Sequence, residues 1–268
     1  MNQVRTGRRM KFKDNSHYIV KFIFLLYLCG CAGKHVLVDD SIIPEKLELN
    51  VKSDFRIKAR PEPDIKPHAL ISMSAVGDLM LGSWIIDLLK EKGVDYPFDH
   101  TREFLQRTDL AIANLEAPIT ESVNRFRDKK YTFKIPPSFV KGIKNSGIDV
   151  VTLANNHMLD FGCEGLEQTI AVLDSFEIYH CGAGKYEADA CAPVFVELFG
   201  IKIAFLGYSL TYPDEFWATA SSCGTCFATE QRLEQGIKIA EQEAQLTIVS
   251  FHWGAEKRTT PKPYQIQL

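Results

Sequence analysis

The stretch Leu70-Ile71-Ser72-Met73-Ser74-Ala75-Val76-Gly77-Asp78 decides the fold class. An apolar run of strand length stops at a glycine and hands over to an acid. Ser83 to Lys92 follows and reads as a helix, with Ile85, Ile86, Leu88 and Leu89 mainly on one side and Gly93 closing it. The same alternation repeats downstream. Phe98 to Arg107 is helical, Leu110 to Ala113 a short buried strand. A helix opens at Pro136-Pro137, runs to Asn145 and stops at Gly147. Asp149 to Ala154 is a β-branched strand, Gly165 to Phe176 a helix with Leu166, Ile170 and Leu173 on one stripe, and Ile178 to His180 a brief strand. Val194 to Leu198 and Ile201 to Leu206 form a hairpin around Phe199-Gly200. Glu230 to Gln245 is a helix, and Leu246 to Phe251 a last apolar strand. Strand and helix in alternation give an α/β domain whose helices cover its sheet.

The 268 residues are 46% hydrophobic and 24% charged, a globular composition without an internal repeat. Six Lys and Arg against one acid fall in the first 30 residues. They give the leader +5 within a total of -3, so the body carries -8. An acidic body argues against nucleic acid as the partner.

Arg5, Arg8, Arg9, Lys11, Lys13 and Lys21 precede the apolar run Phe22 to Leu28, the order of a secretory signal. The run is too short for an ordinary span of about 20 residues. It ends in Leu28-Cys29-Gly30-Cys31, which resembles a bacterial lipobox with Cys31 as the lipidated residue. Residues 1–31 are therefore read as a signal peptide with lipobox, and residues 32–68 as a tether. Residues 69–268 are the domain. This places an extracytoplasmic lipoprotein on the membrane; an uncleaved anchor or an ordinary secretory signal is the alternative. A short strand at Lys46 to Val51 is the alternative to a plain tether. Beyond the leader lie Cys163, Cys181, Cys191, Cys223 and Cys226, so at most two disulfides form and one thiol stays free. Cys223-Gly224-Thr225-Cys226 reads as a local loop staple or two plain thiols rather than a redox centre.

Four predicted strands end in groups that bind metal or move protons. They lead into Gly77-Asp78, Asn114-Leu115-Glu116, Asn155-Asn156-His157 with Asp160, and His252-Trp253-Gly254. Strand carboxyl ends share one edge of an open α/β sheet, so residues far apart in sequence can meet there. Singly, each has a plain reading: an Asp that caps a helix, an Asn pair in a turn, a structural His. Together they suit Mn, Zn, Fe or Mg.

Gly77-Asp78-Leu79-Met80-Leu81-Gly82, Asn114-Leu115-Glu116-Ala117-Pro118-Ile119-Thr120 and Leu153-Ala154-Asn155-Asn156-His157 with Asp160 and Gly162 resemble the CapA family of poly-γ-glutamate capsule biosynthesis proteins. Gly182-Ala183-Gly184 and His252-Trp253-Gly254-Ala255-Glu256 extend the likeness to the last residue. That family is similar to calcineurin-like metallophosphoesterases, which implies two β-sheets flanked by helices. By resemblance Asp78, Glu116, Asn156 and His252 are metal ligands. His157 is the general acid or oxyanion stabiliser, and Asn114, Asn155 and Asp160 support them. The resemblance implies a divalent metal as cofactor, two ions in the full site. It also implies an anionic surface polymer such as poly-γ-glutamate and membrane synthase subunits as partners. A Gly-His-x-His segment expected after His252 does not appear, so the domain reads as C-terminally truncated. Three readings remain open: a metal-dependent hydrolase, a non-catalytic polymer-handling or export partner of a synthase, and an inactive fragment. Smaller features have local readings: Arg125, Arg127, Lys129 and Lys130 as a solvated basic loop, with a face for an anionic polymer or phosphate as the alternative, Tyr131 to Lys134 as a strand, and Trp217 as loop packing, with a substrate rim as the alternative.

Overall fold

The computed structural model describes residues 71–126, 129–255 and 258–268, together with the backbone of β1 (Leu26–Tyr27) and β2 (Phe55–Arg56). Apart from Leu26–Tyr27, the residues of the signal and lipobox readings, Cys31 among them, and the strand considered at Lys46 to Val51 lie outside the described residues. Two parallel-rich sheets organise the rest. The first contains β3 (Met73–Leu79), β4 (Leu110–Leu115), β5 (Val150–Thr152) and β6 (Tyr179–Cys181), all parallel and in that order. A small ribbon pairs β7 (Ala183–Gly184) with β10 (Gly224–Thr225). The second sheet has at its centre the hairpin β8 (Val194–Leu198) and β9 (Ile201–Ser209), with β11 (Leu246–His252) parallel to β9. β2 lies beside β8, and β1 runs beside β11 along Ser250 and Phe251.

Side-chain alternation stacks these sheets. In β4, Leu110 and Ile112 point toward Val196, Leu198, Ile203, Phe205 and Ile248 of the second sheet. Their neighbours Ala111, Ala113 and Leu115 point the other way. There they meet α1 (Ile85–Lys92), α2 (Arg102–Gln106), α3 (Val140–Ser146) and α4 (Gly162–Ser175), through Leu89, Leu105, Ile143, Leu166 and Leu173. β9 repeats the pattern. Ile203 and Phe205 face the first sheet, while Ala204, Leu206 and Tyr208 pack with Leu233 and Ala240 of α6 (Glu230–Glu243). Strands buried on both faces explain why the sequence reads as continuous apolar runs. Short α5 (Glu187–Ala190) and α7 (Pro263–Gln267) complete the elements. No helix among the described residues is long and apolar enough to cross a membrane.

The structure corrects several local expectations. β3 does not stop at Gly77 but continues to Leu79, because a register shift between Ala75 and Asp78 absorbs the irregularity and sets Asp78 opposite Asn114. The helix expected over Phe98 to Arg107 is split: a 3-10 turn at Tyr96–Phe98, opened by Pro97, precedes α2. Tyr131 to Lys134 forms no strand; only Ile135 makes a single bridge, to Ile119. The hairpin turn is as expected, with Phe199 at φ 52° and Gly200 at φ 78°, both left-handed, as a two-residue turn on twisted strands requires.

Five downstream cysteines do yield two disulfides, with the buried Cys181 in neither bridge. The local staple is wrong, however. Cys223 bonds Cys163 at the start of α4, and Cys226 bonds Cys191 after α5. Cys223 and Cys226 are drawn apart because the loop between them is the β10 edge of the ribbon. Gly224 sits there against backbone: a Cβ would stand 2.3 Å from Ala218 N and 2.6 Å from the Phe216 carbonyl. Backbone cannot step aside as a side chain can. Gly224→Ala is therefore expected to cost about 2–3 kcal/mol, read as a lowered denaturation midpoint. A cost near zero would mean the ribbon is not packed in this way.

Candidate functional site

Parallel strands bring their carboxyl ends to one edge, and there the separated motifs meet. Asp78 comes from the end of β3, Glu116 follows β4, Asn156 and His157 follow β5, and His252 closes β11. Asp78, Glu116, Asn156 and His252 line one cleft of about 710 Å3. All four residues expected as ligands are thus gathered, although the span from Asp78 to His252 covers most of the domain.

The cleft is built around a buried amide. Asn114 donates from Nδ2 to Asp78 Oδ1 at 2.8 Å and stands 3.4 Å from His252 Nδ1. Its Oδ1 accepts from Thr152 Oγ1 at 3.2 Å and from Asn155 Nδ2 at 3.1 Å. Asn155 also donates to the Leu115 carbonyl at 2.8 Å and accepts the His157 N–H at 3.0 Å. Asn114 and Asn155 therefore tie the ends of β3, β4 and β5 together. Both are fully buried, where an amide with every group satisfied fixes a unique geometry.

His252 Nε2 lies 2.9 Å from Asn156 Oδ1 and 3.7 Å from Glu116 Oε1. Atoms bound about 2.1 Å from one shared cation stand roughly 2.9–3.5 Å apart. The contact to Asn156 falls in that range and the one to Glu116 lies just beyond it. Among the described residues, no three His, Cys, Asp or Glu are close enough to hold a metal ion, so a donor set here has to include another group, such as the Asn156 amide. In type these donors, carboxylate, amide oxygen and imidazole, fit a hard or borderline divalent ion. Burial pushes the His252 pKa down, with nearby Asp78 opposing and His157 adding to the shift. A neutral imidazole is the form that binds metal.

His157 sits beside the trio in a second network. Its Nδ1 is 2.8 Å from Asp160 Oδ2 and 3.0 Å from Lys129 Nζ. The carboxylate can only accept and the ammonium can only donate, so Asp160 and Lys129 favour opposite tautomers at Nδ1. The Phe133 ring lies 4.8 Å from the imidazole, centroid to centroid. Asp160, with no exposed surface, also accepts the Phe133 N–H at 2.7 Å and Lys129 Nζ at 2.5 Å. Lys129 is the residue the sequence reading misplaced. It is not solvated: its side chain is 17% exposed, and it bonds the Asn156 carbonyl as well as Asp160. Burial lowers its pKa, while Asp160 and Glu116 oppose the shift. Its signal was present in the basic run, but its burial depends on a loop folding across the end of β5.

Thr211, Tyr212, Phe227, Trp253, Lys262 and Tyr264 form the outer wall of the cleft. Tyr212 is 72% exposed. Trp217 stays in packing, as expected: it stacks on Phe227 at 3.8 Å, and its Nε1 donates to the Thr211 carbonyl. Glu256 of the quoted motif lies outside the described residues.

Two stacked sheets flanked by helices, with polar strand ends converging on one cleft, define a calcineurin-like α/β sandwich. The sequence profile of the family described as bacterial capsule synthesis protein PGA_cap matches residues 72–268, and the chain belongs to that family. Among curated relatives, the capsule biosynthesis protein CapA of Bacillus anthracis is 30% identical over 94% of this chain and 59% of its own length. The PGA biosynthesis protein CapA of Bacillus subtilis is 28% identical over 77% of this chain and 55% of its own. A probable polyglutamine synthesis accessory protein of Mycobacterium tuberculosis is 40% identical over 29% of this chain and 20% of its own. The chain thus spans less than two thirds of the length of the two CapA relatives.

Proposed function

We propose that this chain serves capsule or poly-γ-glutamate biosynthesis by binding a divalent cation in the cleft and acting on, or holding, an anionic surface polymer. The observation that carries the reading is the spacing of Glu116 Oε1, Asn156 Oδ1 and His252 Nε2 inside the cleft. A divalent ion bound there supplies Lewis-acid polarisation and an acidified water. The chain's own residues do the rest. Asn114 orients Asp78 and His252, and His157, braced by Asp160, holds or moves a proton at Nε2. Lys262 at the outer wall offers a cation to a polymer carboxylate.

Two disulfides among the described residues support an oxidising, extracytoplasmic location. With the leader, they favour a lipoprotein anchored through Cys31, with membrane synthase subunits as partners.

A second reading has its own support. Asp78 is hydrogen-bonded to Asn114, which on this reading leaves Glu116, Asn156 and His252 as the donors for a single cation. A single-cation site suits polymer retention as well as hydrolysis. Titration calorimetry with Mn2+ and Zn2+ tests the shared premise. The purified chain is expected to bind one equivalent, and His252→Ala to weaken binding more than about 100-fold, because even outer-shell losses cost 10–100-fold. Binding unchanged in His252→Ala would end both readings. If the metal binds, release of soluble fragments from poly-γ-glutamate favours hydrolysis, and retention without cleavage favours the polymer-handling role.

A further inference from the structure

We infer that Lys129 is a positioning residue that locks the Asn156-His157 turn, setting both the amide oxygen offered to a cation and the tautomer of the neighbouring imidazole. The inference rests in part on the cation reading above.

Lys129 reaches into the site from the loop that leaves β4, and it makes contacts that no surface lysine makes. One N–H bonds the carbonyl of Asn156. A second bonds Asp160 Oδ1 at 2.5 Å. Nζ also stands 3.0 Å from His157 Nδ1, and it lies over the Phe216 ring at 5.2 Å. The ammonium therefore ties down the residue whose side chain faces His252 and the carboxylate that braces His157.

The two bonds divide the work. Holding the Asn156 carbonyl fixes the peptide from which the Asn156 amide projects, so Oδ1 stays 2.9 Å from His252 Nε2. Holding Oδ1 of Asp160 leaves Oδ2 to face His157 Nδ1, with the Phe133 N–H as its other partner. Asp160 Oδ2 as acceptor and Lys129 Nζ as donor compete for His157 Nδ1, so the ammonium sets how far the proton sits there rather than at Nε2. Lys129 acts through these groups and is not itself required to touch a substrate.

The test compares the full chain with Lys129→Met, which keeps the stem and loses the charge, and with Lys129→Arg. Two readouts are taken: Mn2+ affinity by calorimetry, and the His157 ring-nitrogen pattern by 15N correlation spectroscopy, assigned with His157→Gln. Lys129→Met is expected to weaken Mn2+ binding about 10-fold, as loss of an outer-shell partner does. It is also expected to shift His157 toward the Nδ1-protonated form, because Asp160 alone then faces Nδ1. Lys129→Arg is expected to recover most of both. Neither readout follows from a general loss of stability. Folded Lys129→Met with wild-type affinity and an unchanged His157 pattern would overturn the inference. Should wild type bind no Mn2+, the cation reading fails, and the His157 pattern alone decides the role of Lys129. If Lys129→Met does not fold, the charge-neutral pair Lys129→Met with Asp160→Asn takes its place, and wild-type Mn2+ affinity in that pair overturns the inference.

Discussion

Replacing Cys163 and Cys223 together by serine is expected to lower the unfolding midpoint by roughly 10 °C. The bridge closes 60 residues of sequence, and constraining a loop of that length in the unfolded chain stabilises by up to about 4 kcal/mol. In a domain of this size each kcal/mol moves the midpoint by about 2–4 °C. Cys191–Cys226 closes 35 residues and overlaps the first loop, so removing both pairs is expected to cost less than twice one. The effect reaches the cleft as well. Cys226 precedes Phe227, which lines the outer wall, and its N–H bonds the Gly182 carbonyl. A thermal scan with and without reductant reads the result. An unchanged midpoint under full reduction would show that these bridges constrain nothing, and would remove the main structural support for an oxidising compartment.

Those bridges mark where the sequence stopped being legible. Counting cysteines bounds the number of bonds, but pairing depends on which loops fold together. The closeness of Cys223 and Cys226 in sequence pointed to a bond that the β10 edge prevents. The cleft residues Asp78, Glu116, Asn156 and His252 were easier to find, because each sits at or just after the end of an apolar strand and parallel strands share an edge. Asn114 and Asn155 could be found in the same way, though not the hydrogen bonds that join them. Lys129 was misread for a different physical reason. A run of charges looks solvated unless a buried partner waits for it, and Asp160 lies 31 residues away on another loop. Strand limits failed where a bulge let β3 pass through Gly77. Local pattern therefore placed the cleft residues, while long-range pairing decided what surrounds them.

Asp160→Ala is expected to be among the most destabilising single changes in the domain, about 3–5 kcal/mol. The carboxylate has no exposed surface and answers three groups: Lys129 Nζ, His157 Nδ1 and the Phe133 N–H. Alanine strands a mostly buried ammonium and a backbone donor at once, and breaking a buried pair from one side costs on that scale. Asp160→Asn keeps the shape and an acceptor oxygen but surrenders the charge. It is expected to cost clearly less, because only the ammonium loses its counter-charge while one hydrogen bond can be kept. Urea denaturation of the two variants beside wild type gives both numbers. The order Ala worse than Asn is required if Asp160 acts as a hub of hydrogen bonds. Equal costs would mean that its charge alone matters, and a cost below about 1 kcal/mol for Asp160→Ala would place it outside any buried network. Lower stability in Asp160→Ala should also bring a looser His157, since the imidazole then loses the carboxylate beside Nδ1. Stability and imidazole order therefore both draw on Asp160, the one side chain that faces His157 Nδ1 and holds Lys129 Nζ.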